Sequence, residues 1–118
     1  MKKPKVEKPE INLLELIPAK SIEWEKTEEG LIVLLKPKFT HPFFKKHILP
    51  RLKHPFYKVK LDDVGSFVWE WCDGKKTVKE IAQRMKEEFG EKVEPLHNRL
   101  ALFLQNLEKN RFIYFKGL

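Results

Sequence analysis

Residues 61–107 read LDDVGSFVWEWCDGKKTVKEIAQRMKEEFGEKVEPLHNRLALFLQNL, and their punctuation divides them into three helices in close succession. Asp62 and Asp63 supply oxygens for the unpaired amides of a helix start. Val64, Phe67, Val68 and Trp71 then recur at i, i+3, i+4 and i+7, which is one face of an α-helix. Gly74 closes that helix, because the residue just past a helix end often adopts a left-handed conformation that strains glycine least. Thr77 followed by Glu80 is a capping-box pair, and Val78, Ile81, Ala82, Met85 and Phe89 continue as one stripe up to Gly90. The third helix begins near Glu94, with Pro95 in a first turn where its missing amide hydrogen does no harm. Leu96, Leu100, Phe103, Leu104 and Leu107 form its buried stripe. No catalytic constellation falls inside the stretch, which predicts a binding module.

Working outward, residues 56–61 alternate Phe56, Lys58 and Lys60 against Tyr57, Val59 and Leu61, the period of a strand that feeds the first helix directly. Further upstream, residues 21–26 alternate Ile22 and Trp24 with charged residues, residues 27–30 end in glycine, and residues 31–35 are apolar and β-branched. Together they predict a hairpin. Between hairpin and third strand, Pro37, Pro42, Pro50 and Pro55 punctuate a basic insert at 37–55, in which Phe43, Phe44, Ile48 and Leu52 are expected to share one face of a short helix. Residues 112–116 are a short β-rich tail. Residues 1–20 are read as a separate mobile segment: residues 1–9 are mostly Lys, Pro and Glu, and Ile11 to Ile17 offer a short apolar helix between two prolines. Residues 21–118 then form one domain, which 118 residues can hold together without a metal or a disulfide.

The net charge of +7 is unevenly placed. Lys36, Lys38, Lys45, Lys46, Arg51, Lys53, Lys58 and Lys60 fall in one segment without a single Asp or Glu, so the excess is local and marks a partner surface. Nucleic acid, a membrane surface and an acidic peptide would all be drawn to it, and charge alone does not choose. No apolar run approaches the length of a membrane span, and the N-terminal lysines are not followed by a signal-peptide core. A cytoplasmic protein with no membrane partner is expected. The single cysteine, Cys72, excludes an internal disulfide and reads as a small buried apolar residue.

Enzyme chemistry has little to stand on. His41, His47 and His54 are spaced too widely for a zinc site and lack a cysteine cluster, so no metal is expected and the histidines read as solvated or capping residues. Ser21 and Ser66 carry no cue tying them to a His and an acid, and the five glycines are dispersed rather than gathered into a phosphate loop. No catalytic residue and no cofactor is predicted.

The run LDDVGSFVWEWCDGKKTVKEIAQRMKEEFG resembles the PqqD family, also called RiPP recognition elements, in which a strand leads into a helix ending near CDG or IDG, followed by a TVxEIA helix and an FG terminus. The likeness covers about Phe56 to Phe112, and the basic insert departs from the shorter connections of the smallest members. It implies an α+β fold, a small antiparallel three-stranded sheet packed on a three-helix, winged-helix-like bundle. It also implies a partner, the leader of a ribosomally made precursor peptide, added as a strand beside the third strand and presented to a modifying enzyme, often a radical-SAM enzyme.

The residues suit that role. An unpaired edge at Tyr57, Lys58, Val59, Lys60 and Leu61 would offer backbone donors and acceptors to an extended peptide, with the Val59 amide taken as one of the donors. Leu96, Leu100 and Phe103 are candidates for the facing pocket, and Arg99 for a clamp on a leader carboxylate. Lys58 and Lys60 would speed the encounter with acidic leaders. Duller readings compete: the leucines as plain core, Arg99 as solvated, the strand lysines as guards against edge aggregation, and Trp24, Trp69 and Trp71 as core or boundary residues. The rival class is a winged helix-turn-helix DNA-binding protein. Against it, the turn before the third helix is acidic through Glu87, Glu88, Glu91 and Glu94, which would repel phosphate. The peptide's identity and a homodimer swapped through the insert are left open.

Overall fold

The computed structural model describes residues 12–117. Among these residues, two antiparallel sheets and four α-helices share one core. Strand β1 (Ile17–Lys20) pairs with β5 (Ile113–Lys116), while β2 (Glu23–Lys26), β3 (Ile32–Pro37) and β4 (Phe56–Lys60) form the second sheet in that order. Helix α1 (Pro42–His47) lies in the insert, and α2 (Asp63–Trp71), α3 (Val78–Phe89) and α4 (Leu96–Lys109) are the three helices expected from residues 61–107.

The helix ends follow the sequence chemistry. Asp62 Oδ1 accepts the Gly65 amide at 2.7 Å to start α2. At α3, Thr77 Oγ1 accepts from the Glu80 amide and Glu80 Oε1 from the Thr77 amide, at 3.1 and 2.9 Å, so the capping box is complete. Past α2, Gly74 has a φ of 77° and donates its amide to the Pro18 carbonyl at 2.9 Å, which binds the turn to β1. Lys20 Nζ reaches back from β1 to donate to the Cys72 and Glu70 carbonyls at 3.2 and 3.4 Å, a cation placed where the α2 dipole ends negatively.

Trp69, Ile32, Leu34, Ile81, Leu100 and Leu104 are fully buried and join the three-stranded sheet to the helices. Cys72 is buried with them, and burial pushes its thiol up to about 12. Its thiolate is therefore scarce at neutral pH. Iodoacetamide at pH 8 is expected to label Cys72 only after denaturant unfolds the chain; rapid stoichiometric labelling of the folded protein would show the site open.

Three features differ from the sequence reading. Ile17 begins a strand rather than ending a helix: only Leu13–Glu15 form a 3₁₀ turn, and Leu13, Leu14 and Leu16 pack against the core. The packed body thus starts ahead of the boundary expected at residue 21, because β5 supplies a pairing partner that no local pattern announces. The rest of the segment expected to be mobile, residues 1–11, lies outside the described residues. Finally, Phe43 and Phe44 are exposed, while Leu49 is the insert residue that becomes buried. The short helix exists, but its aromatic face does not pack.

Candidate functional site

Among the described residues, strand β4 is the outer strand of its sheet, bonded only to β3. Its register pairs Lys60 with Val33, Lys58 with Leu35 and Phe56 with Pro37. Just beyond the strand ends, the Leu61 amide donates to the Ile32 carbonyl at 2.8 Å and the Lys38 amide to the Pro55 carbonyl at 3.0 Å. In an antiparallel ladder hydrogen-bonded and non-hydrogen-bonded pairs alternate. Those two anchors therefore direct the main-chain groups of Tyr57, Val59 and Leu61 toward β3, and those of Phe56, Lys58 and Lys60 outward. Among the described residues, no backbone or side-chain partner meets these outward groups. The sequence reading of Val59 as an outward donor is corrected: its amide belongs to the ladder with Leu34.

Side-chain direction follows the same parity. Tyr57, Val59 and Leu61 share a face with the buried Ile32 and Leu34, whereas Lys58 and Lys60 project from the other face. Tyr57 is 56% exposed at the rim, and Leu61 is buried at the end that meets α2. Lys58 Nζ stands 3.9 Å from Glu25 Oε1, a loose contact between exposed groups that leaves its charge available.

Ser66 fixes the inner end of this edge. Its buried hydroxyl accepts the Ile32 amide at 2.8 Å and donates to the Leu61 carbonyl at 3.4 Å, so a side chain of α2 bridges a rung between β3 and the residue that follows β4. The serine that carried no catalytic cue in the sequence is a structural relay.

Beside that end lies a cavity of 110 Å³ between α2, α3 and α4, lined by Asp62, Val64, Gly65, Met85, Arg99, Leu100 and Phe103 among others. Its size suits one aliphatic side chain. Gly65 makes the close approach of α4 to α2 workable: a Cβ there would meet Asp62 Oδ1 at 3.1 Å, Phe103 Cζ at 3.3 Å and Leu61 Cβ at 3.4 Å. Gly65→Val is expected to overpack this corner by about 1–3 kcal/mol and to displace the Phe103 ring. A denaturation midpoint equal to that of the parent protein would contradict it.

A polar strap crosses the rim. Lys92 Nζ donates to Asp63 Oδ2 at 2.8 Å, and Arg99 Nη1 donates to the Lys92 carbonyl at 3.0 Å, linking α2, the 90–93 turn and α4. The hydrogen bond from Lys92 holds the Asp63 carboxyl below its ordinary range. A depressed carboxyl contributes its stabilisation above the unfolded-state pKa and loses it as pH falls through the folded value, so this strap loosens on acidification.

The nine residues singled out in the sequence do not converge on one groove. Arg99, Leu100 and Phe103 line the cavity, Leu61 abuts its Gly65 wall, and Tyr57, Lys58, Val59 and Lys60 form the open edge leading to it. Leu96 lies elsewhere, lining a depression with Leu14, Ala82 and His97. Leu100 is so deeply buried that it serves the core first. Asp62, Gly65 and Met85 were missed as cavity residues; a glycine inside an otherwise helical pattern was the one available signal.

The family model of coenzyme PQQ synthesis protein D (PqqD) matches residues 54–113, a span that holds β4, the three long helices and the start of β5. The chain belongs to the PqqD family. That membership supports an accessory role in peptide modification, the family being non-catalytic. No curated protein and no solved structure matches the chain significantly. No helix among the described residues is long and apolar enough to cross a membrane.

Proposed function

We propose that this chain captures the leader of a ribosomally made precursor peptide by strand addition to β4 and presents the peptide to a modifying enzyme, a radical-SAM enzyme being one such partner. The observation that carries the reading is the outward set of backbone groups at Phe56, Lys58 and Lys60, which have no partner among the described residues. Such an edge is a template for another chain, and an exposed edge retained beside a cavity calls for an occupant. One leader side chain anchors in the cavity lined by Leu100 and Phe103, with Arg99 at the rim to meet a carboxylate. Lys58 and Lys60 favour acidic residues at alternate leader positions on the face opposite Tyr57 and Val59. No observation favours the DNA-binding alternative.

The test uses the leader of a precursor peptide sought among the genes neighbouring this one. On its addition, the amides of Lys58 and Lys60 are expected to shift in nitrogen–proton correlation spectra and to become protected from hydrogen exchange, while those of Val59 and Leu61, already bonded, change little in protection. A bound leader that leaves the Lys58 and Lys60 amides exchanging as before rules out strand addition at β4.

A further inference from the structure

The segment that the family model leaves unmatched carries a feature separate from the outward backbone of β4, although Lys38 beside it lies over the Tyr57 ring, with Nζ 5.3 Å from the centroid. Every residue of α1 is exposed, and the helix is anchored at its exit by the buried Leu49. Phe43 and Phe44 are 55% and 42% exposed, and Phe39 joins them, with ring centroids 5.4 Å apart for Phe43–Phe44 and 5.5 Å for Phe39–Phe44. These rings pack on one another rather than on the core, and they do not line the cavity beside β4. Soluble surfaces seldom gather such rings without a use for them.

The cations stand around them. At 100° per residue, Phe43, Phe44 and His47 occupy one sector of α1, with Lys46 on one flank and Lys45 on the other. Lys38, Arg51 and Lys53 extend the positive field, and among the described residues none of these five cations lies within ion-pair distance of a carboxylate.

We infer that α1 and its flanks dock on an anionic lipid surface. The rings enter the boundary between headgroups and acyl chains, and the lysines reach the lipid phosphates and carboxylates from either side. An exposed cluster of rings fits a deformable apolar phase, and the unpaired cations of the same segment select a negative one. A second copy of the same patch would bring like charges together, and duplex nucleic acid offers no apolar phase for three phenylalanines. The expectation of no membrane partner rested on the lack of a spanning run, which has no bearing on a surface contact.

The test is co-sedimentation of the full chain with vesicles of phosphatidylcholine plus phosphatidylserine, against vesicles of phosphatidylcholine alone. Binding is expected to the anionic vesicles only and to weaken as salt rises. Phe43→Ser with Phe44→Ser, both at exposed positions, is expected to reduce partitioning about tenfold or more, as is Lys45→Gln with Lys46→Gln, because neither signal alone anchors a protein stably. Circular dichroism should report unchanged folding in both variants. Equal binding to the two vesicle types, or anionic binding that survives the phenylalanine variant, overturns the inference. So does a phenylalanine-dependent dimer in ultracentrifugation without lipid, or a phenylalanine-dependent complex with duplex DNA.

Discussion

Lys58→Pro is expected to cut leader affinity about 10- to 100-fold while leaving the unfolding midpoint almost unchanged. The Lys58 amide points away from β3 and bonds nothing within the described protein, so proline removes a donor that folding does not use. In the complex that donor would meet a leader carbonyl, and leaving the carbonyl unpaired costs about 1–3 kcal/mol. Tyr57 tolerates the change, since the residue before a proline favours the extended conformation it already has. Val59→Pro should behave in the opposite order. It breaks the bonded pair with Leu34 and lowers stability by about 1–3 kcal/mol before any effect on binding is considered. Calorimetric titration and urea denaturation of the two variants separate the cases; equal leader affinity in Lys58→Pro and the parent protein would place the peptide somewhere other than this edge.

Ser66→Ala is expected to destabilise the fold by about 1–3 kcal/mol, because the Ile32 amide loses its acceptor at a buried site and the Leu61 carbonyl loses a donor. Urea denaturation should show a lower midpoint at unchanged slope, and the Ile32 amide should exchange faster with solvent. A parent-like midpoint with a protected Ile32 amide would mean that the two strands close the rung directly and that the hydroxyl is dispensable.

Much of this fold was legible because its signals are local. The Thr77–Glu80 box and the two aspartates at the start of α2 act within a few residues of themselves and do in the structure what their chemistry requires. Gly74, by contrast, takes the expected left-handed conformation but lies past the Cys72 cap and bonds β1 rather than closing α2. β1 was not legible, since Ile17–Pro18–Ala19 looks no more like a strand than a helix until Ile113–Lys116 lies beside it. The site divided in the same way. Alternation along residues 56–61 tells which side chains share a face, but the direction of each amide depends on the neighbouring strand's register, so Val59 could not be told from Lys58 by sequence alone. Leu96, Leu100 and Phe103 fall on one stripe, yet neighbouring helices and the Leu13–Glu15 turn cut that stripe into core, cavity and an unrelated depression.

The pairing of β1 with β5 has a consequence for engineering. Ile17 lies directly across from Lys116, so the first and last strands of the described residues close the body side by side, with the packed Leu13–Glu15 turn just upstream, in a sheet separate from the one bearing β4. A circularly permuted version, with a linker long enough to keep the Leu13–Glu15 turn on the core and new termini opened in the exposed hairpin tip at Glu28–Glu29, should retain the native topology. Grafted by both tails into a host loop, the domain would sit as a pendant held by a single stalk.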